Sequence, residues 1–356
     1  MFKVQNSFGV MDSKKRILIT GASGFIGRFL VEEALRRSYE VWVGVRATSS
    51  LKNLPVDQIN RIDLKYDDPV ALTEQLSQQV KEYGVWNYVI HNAGLTKTTN
   101  PSDFLQVNAT YTLHLLNALT NANCKPEKFL LMSSLSSYGK VDEKTFRPIQ
   151  LNDPQCPDTI YGKSKLKAEY YVRNQSDFPY VILRPTGVYG PGDKDYLMEI
   201  QSIRSGFDFT VGMKPQRITF IYVKDLARVA LDALEAEAVR NRHYFVADGD
   251  VYTDKEFARL IQELVKKKHV FRARMPAWLV YIVCLISEGV GRLTGKPMTL
   301  NTDKYKILKQ RNWICDIEPL RKDLAFVPEY NLRKGLEETI AGEHDELLQP
   351  PPKGGL

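Results

Sequence analysis

A chain of 356 residues, 43% of them hydrophobic and 26% charged, is long enough for one large or two modest domains with a real core, and too balanced for a disordered or fibrous protein. The formal net charge of +7 is spread along helical stretches with no nucleic-acid-binding module, so no nucleic-acid partner is expected. Four cysteines, Cys124, Cys156, Cys284 and Cys315, stand far apart without metal-ligand spacing, which predicts a reduced, cytoplasmic setting and no metal site.

Residues 1–13 lack the apolar core of a secretory signal and read as an extension ahead of the first domain. The apolar run Ile17–Ile19 then ends in a turn with Gly21, Gly24 and Gly27 three apart, followed by an amphipathic helix bearing Phe25, Ile26, Phe29 and Leu30. Strand, glycine turn and helix make a dinucleotide cradle. One glycine takes the turn, one lets the backbone approach a pyrophosphate, and one lets helix and strand pack closely. The helix N-terminus adds free N–H groups and a positive dipole end.

Val41–Val45 predicts a second buried strand, and Arg46 follows it where an acidic residue would otherwise accept from ribose hydroxyls. A guanidinium cannot accept those bonds but pairs with a 2′-phosphate, so NADP (NADPH) is expected over NAD; the alternative is a solvated charge and an NAD enzyme. Ser49, Ser50 and Lys52 lie just beyond it, and Arg28 follows Gly27. A third strand over 59–64 ends at Asp63 and Leu64, where Asp63 either accepts from the adenine amino group or caps the helix that follows. Tyr88–His91 is a strand running into Asn92, Ala93 and Gly94, small residues suited to close approach by a ligand, and His91 reads as a packed strand-end residue. Asn108, early in a helix to Leu119, is placed to hold neighbouring segments through backbone hydrogen bonds. Phe129–Met132 is a fifth strand that opens into a hydroxyl cluster, Ser133, Ser134, Ser136 and Ser137, at the end where open α/β sheets bind ligands. Tyr161 and Lys165 then share one face of a helix. An ammonium beside a phenol favours the phenolate and brings a proton donor with an ordinary pKa near 10 closer to working pH, while Ser134 can hydrogen-bond the oxygen whose charge changes.

Taken in order, TGASGFIG at 20–27, DL at 63–64, HNAG at 91–94, Asn108, the serine cluster, YGKSK at 161–165, RPTGVYGPGD at 184–193 and ITFIYVKDLA at 218–227 resemble the extended short-chain dehydrogenase/reductases over about two thirds of the chain. This superfamily includes nucleotide-sugar epimerases, dihydroflavonol reductases and 3β-hydroxysteroid dehydrogenases. The resemblance implies an α/β fold: a Rossmann-type doubly wound parallel sheet with helices on both faces and a smaller C-terminal substrate lobe. It implies a catalytic triad of Ser134, Tyr161 and Lys165, with Ser133 the alternative if the alignment slips by one. It places cofactor contacts at Gly21, Ser23, Gly24, Phe25, Ile26, Gly27, Arg46, Asp63, Leu64, Asn92, Ala93, Gly94, Tyr161, Lys165, Pro185 and Val188. Substrate contacts fall at Thr96, Lys97, Ser136, Thr186 and Gly187, and a homodimer is expected.

Nucleotide-sugar enzymes of the superfamily carry an asparagine three residues after the arginine of the 184–193 motif, where this chain has Gly187. With Arg-Pro-Thr at 184–186 and Arg46, the pattern resembles the ketone-reductase and steroid-dehydrogenase branch, including bacterial 3-ketosphinganine reductases. The expected activity is therefore NADP-dependent reduction of a ketone, or oxidation of a secondary alcohol, on a bulky apolar small-molecule or lipid substrate. The rivals are an epimerase or dehydratase with tightly bound NAD, and a non-catalytic dinucleotide-binding sensor.

The cofactor domain is expected over 14–186 with its sheet completed by about 217–248, the substrate lobe over 187–216 and 249–342, and a disordered tail over 343–356. Strands are predicted at Ile218–Val223 and His243–Val246 with a helix from Asp225 to Ala236 between them, and Thr253 with Glu256 reads as a capping box. A basic strip, Lys266 to Arg274, precedes the apolar run Ala277–Ile286. That run predicts either a buried helix roofing the substrate pocket or a helix lying in a membrane interface, with peripheral contact through 266–296.

Overall fold

The computed structural model describes residues 14–139, 141–295 and 298–348, with side chains through 342. The expected extension over 1–13 and residues 349–356 of the expected tail lie outside the described residues; the earlier part of that tail continues the helix Leu332–Leu348. Seven strands form one sheet whose members, in chain order, are Arg16–Thr20, Glu40–Gly44, Asn60–Ile62, Tyr88–His91, Lys128–Met132, Tyr180–Pro185 and Arg242–Val246. Across the sheet they run 3-2-1-4-5-6-7, and every pairing is parallel. The order reverses beside the first strand, the crevice where doubly wound sheets bind ligands.

Both faces are covered, so the inner strands read as apolar runs rather than alternating. In the first strand Ile17 and Ile19 enter one core and Leu18 the other, all fully buried. The first core lies under the helices Phe25–Arg36 and Val223–Glu235, the second under Pro69–Tyr83, Tyr111–Asn121 and Ile160–Gln175. Each such buried aliphatic side chain contributes about 1.5–3 kcal/mol. Local signals agree with this packing. Asp68 accepts from the amides of Val70 and Ala71 at 3.0 Å and starts the helix Pro69–Tyr83, which ends at Gly84 with φ +84°. Cap duty therefore belongs to Asp68 and not to Asp63. Thr253 and Glu256 form the expected capping box on the helix Asp254–Leu264.

The sheet is completed by Arg242–Val246 alone. The stretch expected as one further strand divides into Arg217–Ile218, paired antiparallel with Tyr252–Thr253, and Phe220–Tyr222, paired with Gly187–Tyr189. Its apolar side chains Phe220 and Tyr222 join Tyr189, Ile200, Ile203, Phe257, Leu332 and Leu336 in a separate core outside the main sheet. A parallel pair, Phe207–Val211 with Phe271–Met275, leads into the helix Ala277–Thr294. That helix is longer than the apolar run from which it was read, and it is not buried: only Val280, Cys284 and Gly291 are.

Candidate active site

At the end of the first strand Gly21 has φ +66°, and a Cβ there would lie 2.7 Å from the Ala93 nitrogen. A Cβ at Gly27 would lie 2.1 Å from the Gly21 carbonyl, so Gly27 sets the helix against the turn. No side chain caps the helix Phe25–Arg36 at Gly24. Its first-turn N–H groups face a cleft of 1090 Å³ that runs along the carboxyl ends of the strands. Tight turn, backbone access and uncapped amides fit the pyrophosphate of a dinucleotide.

Gly21, Ser23, Gly24, Phe25, Ile26, Arg46, Leu64, Asn92, Ala93, Gly94, Thr96, Lys97, Ser134, Tyr161, Lys165, Pro185, Thr186 and Val188 line this cleft. Gly27, Asp63, Ser136 and Gly187 are not among its lining residues. Asp63 directs its carboxylate to Lys65 at 3.6 Å. The Ser136 amide donates to the Ser134 hydroxyl at 3.2 Å. A Cβ at Gly187 would lie 2.2 Å from the Tyr196 hydroxyl, so Tyr196 fills the space beside that position. Arg46 stands exposed at the far rim with Ser49 and Asn53. Arg28 instead turns to the substrate-lobe segment, donating to the Pro191 carbonyl and lying over the Phe29 ring.

The strand Lys128–Met132 delivers two serines with different fates. Ser133 is buried, and its hydroxyl donates to Glu169. Ser134 is extended and lines the cleft with Tyr161, its hydroxyl near enough to the phenol to favour the phenolate. The backbone thus sets the register, with Ser134 and not Ser133 beside the tyrosine. Thr159 caps the helix Ile160–Gln175 by accepting from the Gly162 amide at 2.9 Å, and Tyr161 stands on its first turn with Phe104 against its ring edge. One turn on, the Lys165 ammonium donates to the Met132 carbonyl at 2.9 Å.

Electrostatics depart from the simple expectation. Burial raises the Tyr161 pKa above its usual value, and the nearby Ser134 hydroxyl offsets this only in part. Burial also pulls Lys165 down to about 8, against the field of Glu169. The expected acidification of the phenol by the ammonium is therefore not what governs Tyr161 here; desolvation dominates both groups. His91 is pushed to about 3 by burial and by Lys165, and as a neutral ring it bridges the hydroxyls of Thr20 at 2.8 Å and Thr112 at 3.0 Å. It is a packed strand-end residue.

Asn108 lies in a π-helical turn, Gln106–Thr110, a local distortion frequent at functional sites. It accepts from the Leu95 amide at 2.7 Å and donates to the Leu95 carbonyl at 3.0 Å and the Ser164 hydroxyl at 2.9 Å. Ser164 donates in turn to the Tyr161 carbonyl at 2.7 Å, so Asn108 ties the loop after Gly94 to the tyrosine helix. A Cβ at Gly94 would crowd Asn108 Oδ1 at 2.9 Å and Lys165 Nζ at 3.1 Å.

Three positioning features escape the sequence reading. Asp303 accepts from the amides of Ile160 at 2.8 Å and Tyr161 at 3.2 Å, binding the helix Thr302–Lys309 to the start of the tyrosine helix. Asp195, on the cleft wall with Lys97, bridges Lys97 at 2.6 Å and Lys304 at 2.9 Å. Behind the serines, Glu169 and Arg184 form a fully buried bidentate pair. Each joins different secondary-structure elements, so no spacing within one element announces it. Thr186, expected on substrate, donates its hydroxyl to the Thr219 carbonyl at 2.9 Å.

A parallel sheet with a glycine-turn cradle at its switch point, and a serine, tyrosine and lysine gathered at the strand ends, defines a Rossmann-type NAD(P)-dependent enzyme. The description "NAD dependent epimerase/dehydratase family" matches residues 17–247, more than half of the chain. The chain belongs to that family. It is similar to a UDP-glucose 4-epimerase of Vibrio cholerae, 24% identical over 91% of this chain and 94% of the relative. It is similar also to a decarboxylating sterol-4-alpha-carboxylate 3-dehydrogenase of Saccharomyces cerevisiae, at 23% identity over 91% and 97% of the two chains. A 2-alkyl-3-oxoalkanoate reductase of Stenotrophomonas maltophilia is 25% identical over 90% and 97%. Among solved structures, a Thermotoga maritima UDP-glucose 4-epimerase with UDP-glucose superposes with a TM-score of 0.72 at 20% identity, covering 93% of this chain and 99% of that one, which places the two in one fold.

Proposed function

We propose that the protein is an NADP-dependent reductase of a bulky apolar ketone, such as a sterol-like or long-chain 3-keto lipid, or the reverse alcohol dehydrogenase. The observation that carries this reading is the placement of Ser134, Tyr161 and Lys165 together on one cleft, the lysine one helical turn from the tyrosine. When bound, the nicotinamide supplies or accepts the hydride. The chain's own part is proton transfer and orientation. The Tyr161 hydroxyl, whose protonated form burial favours, gives its proton to the carbonyl oxygen in the reductive direction, and in the oxidative direction the tyrosinate takes the proton of the alcohol. The Ser134 hydroxyl is placed to donate to that same oxygen as charge builds on it. Lys165, held by the Met132 carbonyl, lends a positive charge below about pH 8 that favours the tyrosinate formed in each reductive turnover. Arg46, with Ser49 beside it, would hold the 2′-phosphate.

Support for the substrate class comes from Tyr196 filling the space beside Gly187 and from the apolar cleft residues Leu95 and Val107. Two of the relatives have names that describe a sterol dehydrogenase and an oxoalkanoate reductase. The test is NADPH oxidation by purified protein with a long-chain 3-keto base, a 3-ketosteroid and a UDP-hexose in parallel. Turnover of a lipid ketone is expected. Isomerisation of the UDP-hexose with no ketone turnover would transfer the protein to the epimerases.

A further inference from the structure

The strand pair Phe207–Val211 and Phe271–Met275 is inside out. In its parallel register Phe207 pairs with Phe271, Phe209 with Ala273, and Val211 with Met275, so these six side chains share one face. Phe207, Phe209 and Phe271 are exposed, and the first two stack with centroids 6.0 Å apart. The opposite face carries the charges. There Arg272 pairs with Asp208 at 3.1 Å and Arg274 with Asp254 at 2.8 Å, and both acids are buried. Soluble proteins bury the apolar face of such a ribbon and hydrate the charged one. Here the reverse arrangement is stabilised by ion pairs built for the purpose.

Through Pro276 this ribbon continues into the helix Ala277–Thr294, whose outward surface is equally apolar. Trp278 is 65% exposed, Ile286 64% and Leu293 90%, with Ile282 and Leu285 also exposed. By length and composition the helix can cross a bilayer, with a mean hydropathy of 1.4 over its 18 residues. Its other face is fixed to the protein. Val280, Cys284 and Gly291 are buried, Tyr281 packs on Tyr305, and Glu288 accepts from the amide and hydroxyl of Thr302. A helix anchored along one side lies in the plane of an interface rather than across it. At the other end of the ribbon stand Lys266, Lys267 and Lys268, with Arg259 beside them.

We infer that the outer face of this ribbon and the exposed face of the helix Ala277–Thr294 form a single lipid-docking surface, seated on a bilayer that carries anionic headgroups. Exposed aromatic and aliphatic side chains enter the headgroup boundary, and the lysine run meets the phosphates. The surface is also wired to the site. Glu288 holds the start of the helix Thr302–Lys309, and Asp303 of that helix holds the start of the Tyr161 helix. An apolar substrate drawn from the bilayer would thus be met by elements already joined to the catalytic tyrosine.

The test is co-sedimentation of the full chain with vesicles of phosphatidylcholine alone or mixed with phosphatidylglycerol, with no substrate present. It therefore fails or succeeds independently of the reductase reading. Binding to the mixed vesicles is expected. F209S combined with I286S should weaken it at least about tenfold, since both side chains leave the acyl boundary. Lys266, Lys267 and Lys268 each changed to Glu should weaken it about a hundredfold, and only on anionic vesicles. Circular dichroism checks that each variant is folded, and all substituted side chains are on the surface. Failure to bind either vesicle, or unchanged binding by the folded F209S/I286S variant, would overturn the proposal. A fall in oligomeric mass in that variant without vesicle binding by the parent would assign the surface to a second copy instead.

Discussion

Removing one member of the Glu169–Arg184 pair should be among the most damaging changes outside the cleft. Glu169 accepts from Arg184 Nε at 2.9 Å and Nη2 at 2.8 Å, from the Ser133 hydroxyl, and from Gln155 at 3.0 Å. Burial would push its carboxyl up, yet the guanidinium and these hydrogen bonds outweigh burial and hold it below the usual range. Glu169→Leu leaves a buried guanidinium with only the rings of Tyr138 and Phe245 across from it. Stranding one charge of a buried pair costs about 3–5 kcal/mol, a large fraction of a total stability of about 5–15 kcal/mol. Arg184→Leu should cost about the same. The double Leu variant removes both charges and strands only Ser133 and Gln155, so its cost should fall to about 1–3 kcal/mol rather than the sum. Urea unfolding followed by tryptophan fluorescence reads all four proteins. Single-variant costs that add in the double variant, or single costs under about 1 kcal/mol, would refute the reasoning.

Three further outcomes follow from the site. Arg46→Ala should weaken NADPH binding about 10- to 100-fold, the loss of one or two charge-assisted hydrogen bonds, and leave NADH binding nearly unchanged; titration of nucleotide fluorescence checks it. Lys165 has a folded pKa near 8 against 10.5 when exposed, so between these values the unfolded chain binds more protons and stability rises with pH. The burden of its buried charge is complete below pH 8 and gone above about 10.5, so Lys165→Met should be more stable than the parent by up to about 3 kcal/mol at pH 7, an advantage that shrinks toward pH 10 in paired urea titrations. Asp303→Ala should cost about 0.5–2 kcal/mol, as loss of a helix cap does, and should lower kcat severalfold without changing nucleotide affinity. Equal kcat in the parent and this variant would deny Asp303 its positioning role.

The cofactor half of the molecule was legible because its signals are local. Gly21 needs a positive φ, Gly27 needs the absence of a Cβ, and Tyr161 and Lys165 need only one helical turn between them. Even Asn108 could be read as a tie between segments, though not its π-helical turn. Between the serines the resemblance favoured Ser134 with Ser133 as the alternative, but the partner of Ser133 was not legible, because Glu169 meets it from a helix thirty-six residues on. The ribbon 207–211 with 271–275 was hidden for a related reason. Arg272 and Arg274 read only as members of a basic strip until Asp208 and Asp254, distant in sequence, are seen to pair with them. The helix after Pro276 could be read as apolar, but whether it roofs a pocket or faces outward is a matter of tertiary placement; it faces outward.

The most direct measurement is the ratio of alcohol formed to NADPH consumed with a lipid ketone, in the parent and in Tyr161→Phe. A hydride-transferring reductase that takes its proton from Tyr161 gives a ratio of about one, and the variant loses about 10²- to 10⁴-fold in kcat while still binding the nucleotide. Undiminished turnover in Tyr161→Phe, or sugar isomerisation with no net change in the nucleotide, would contradict the account.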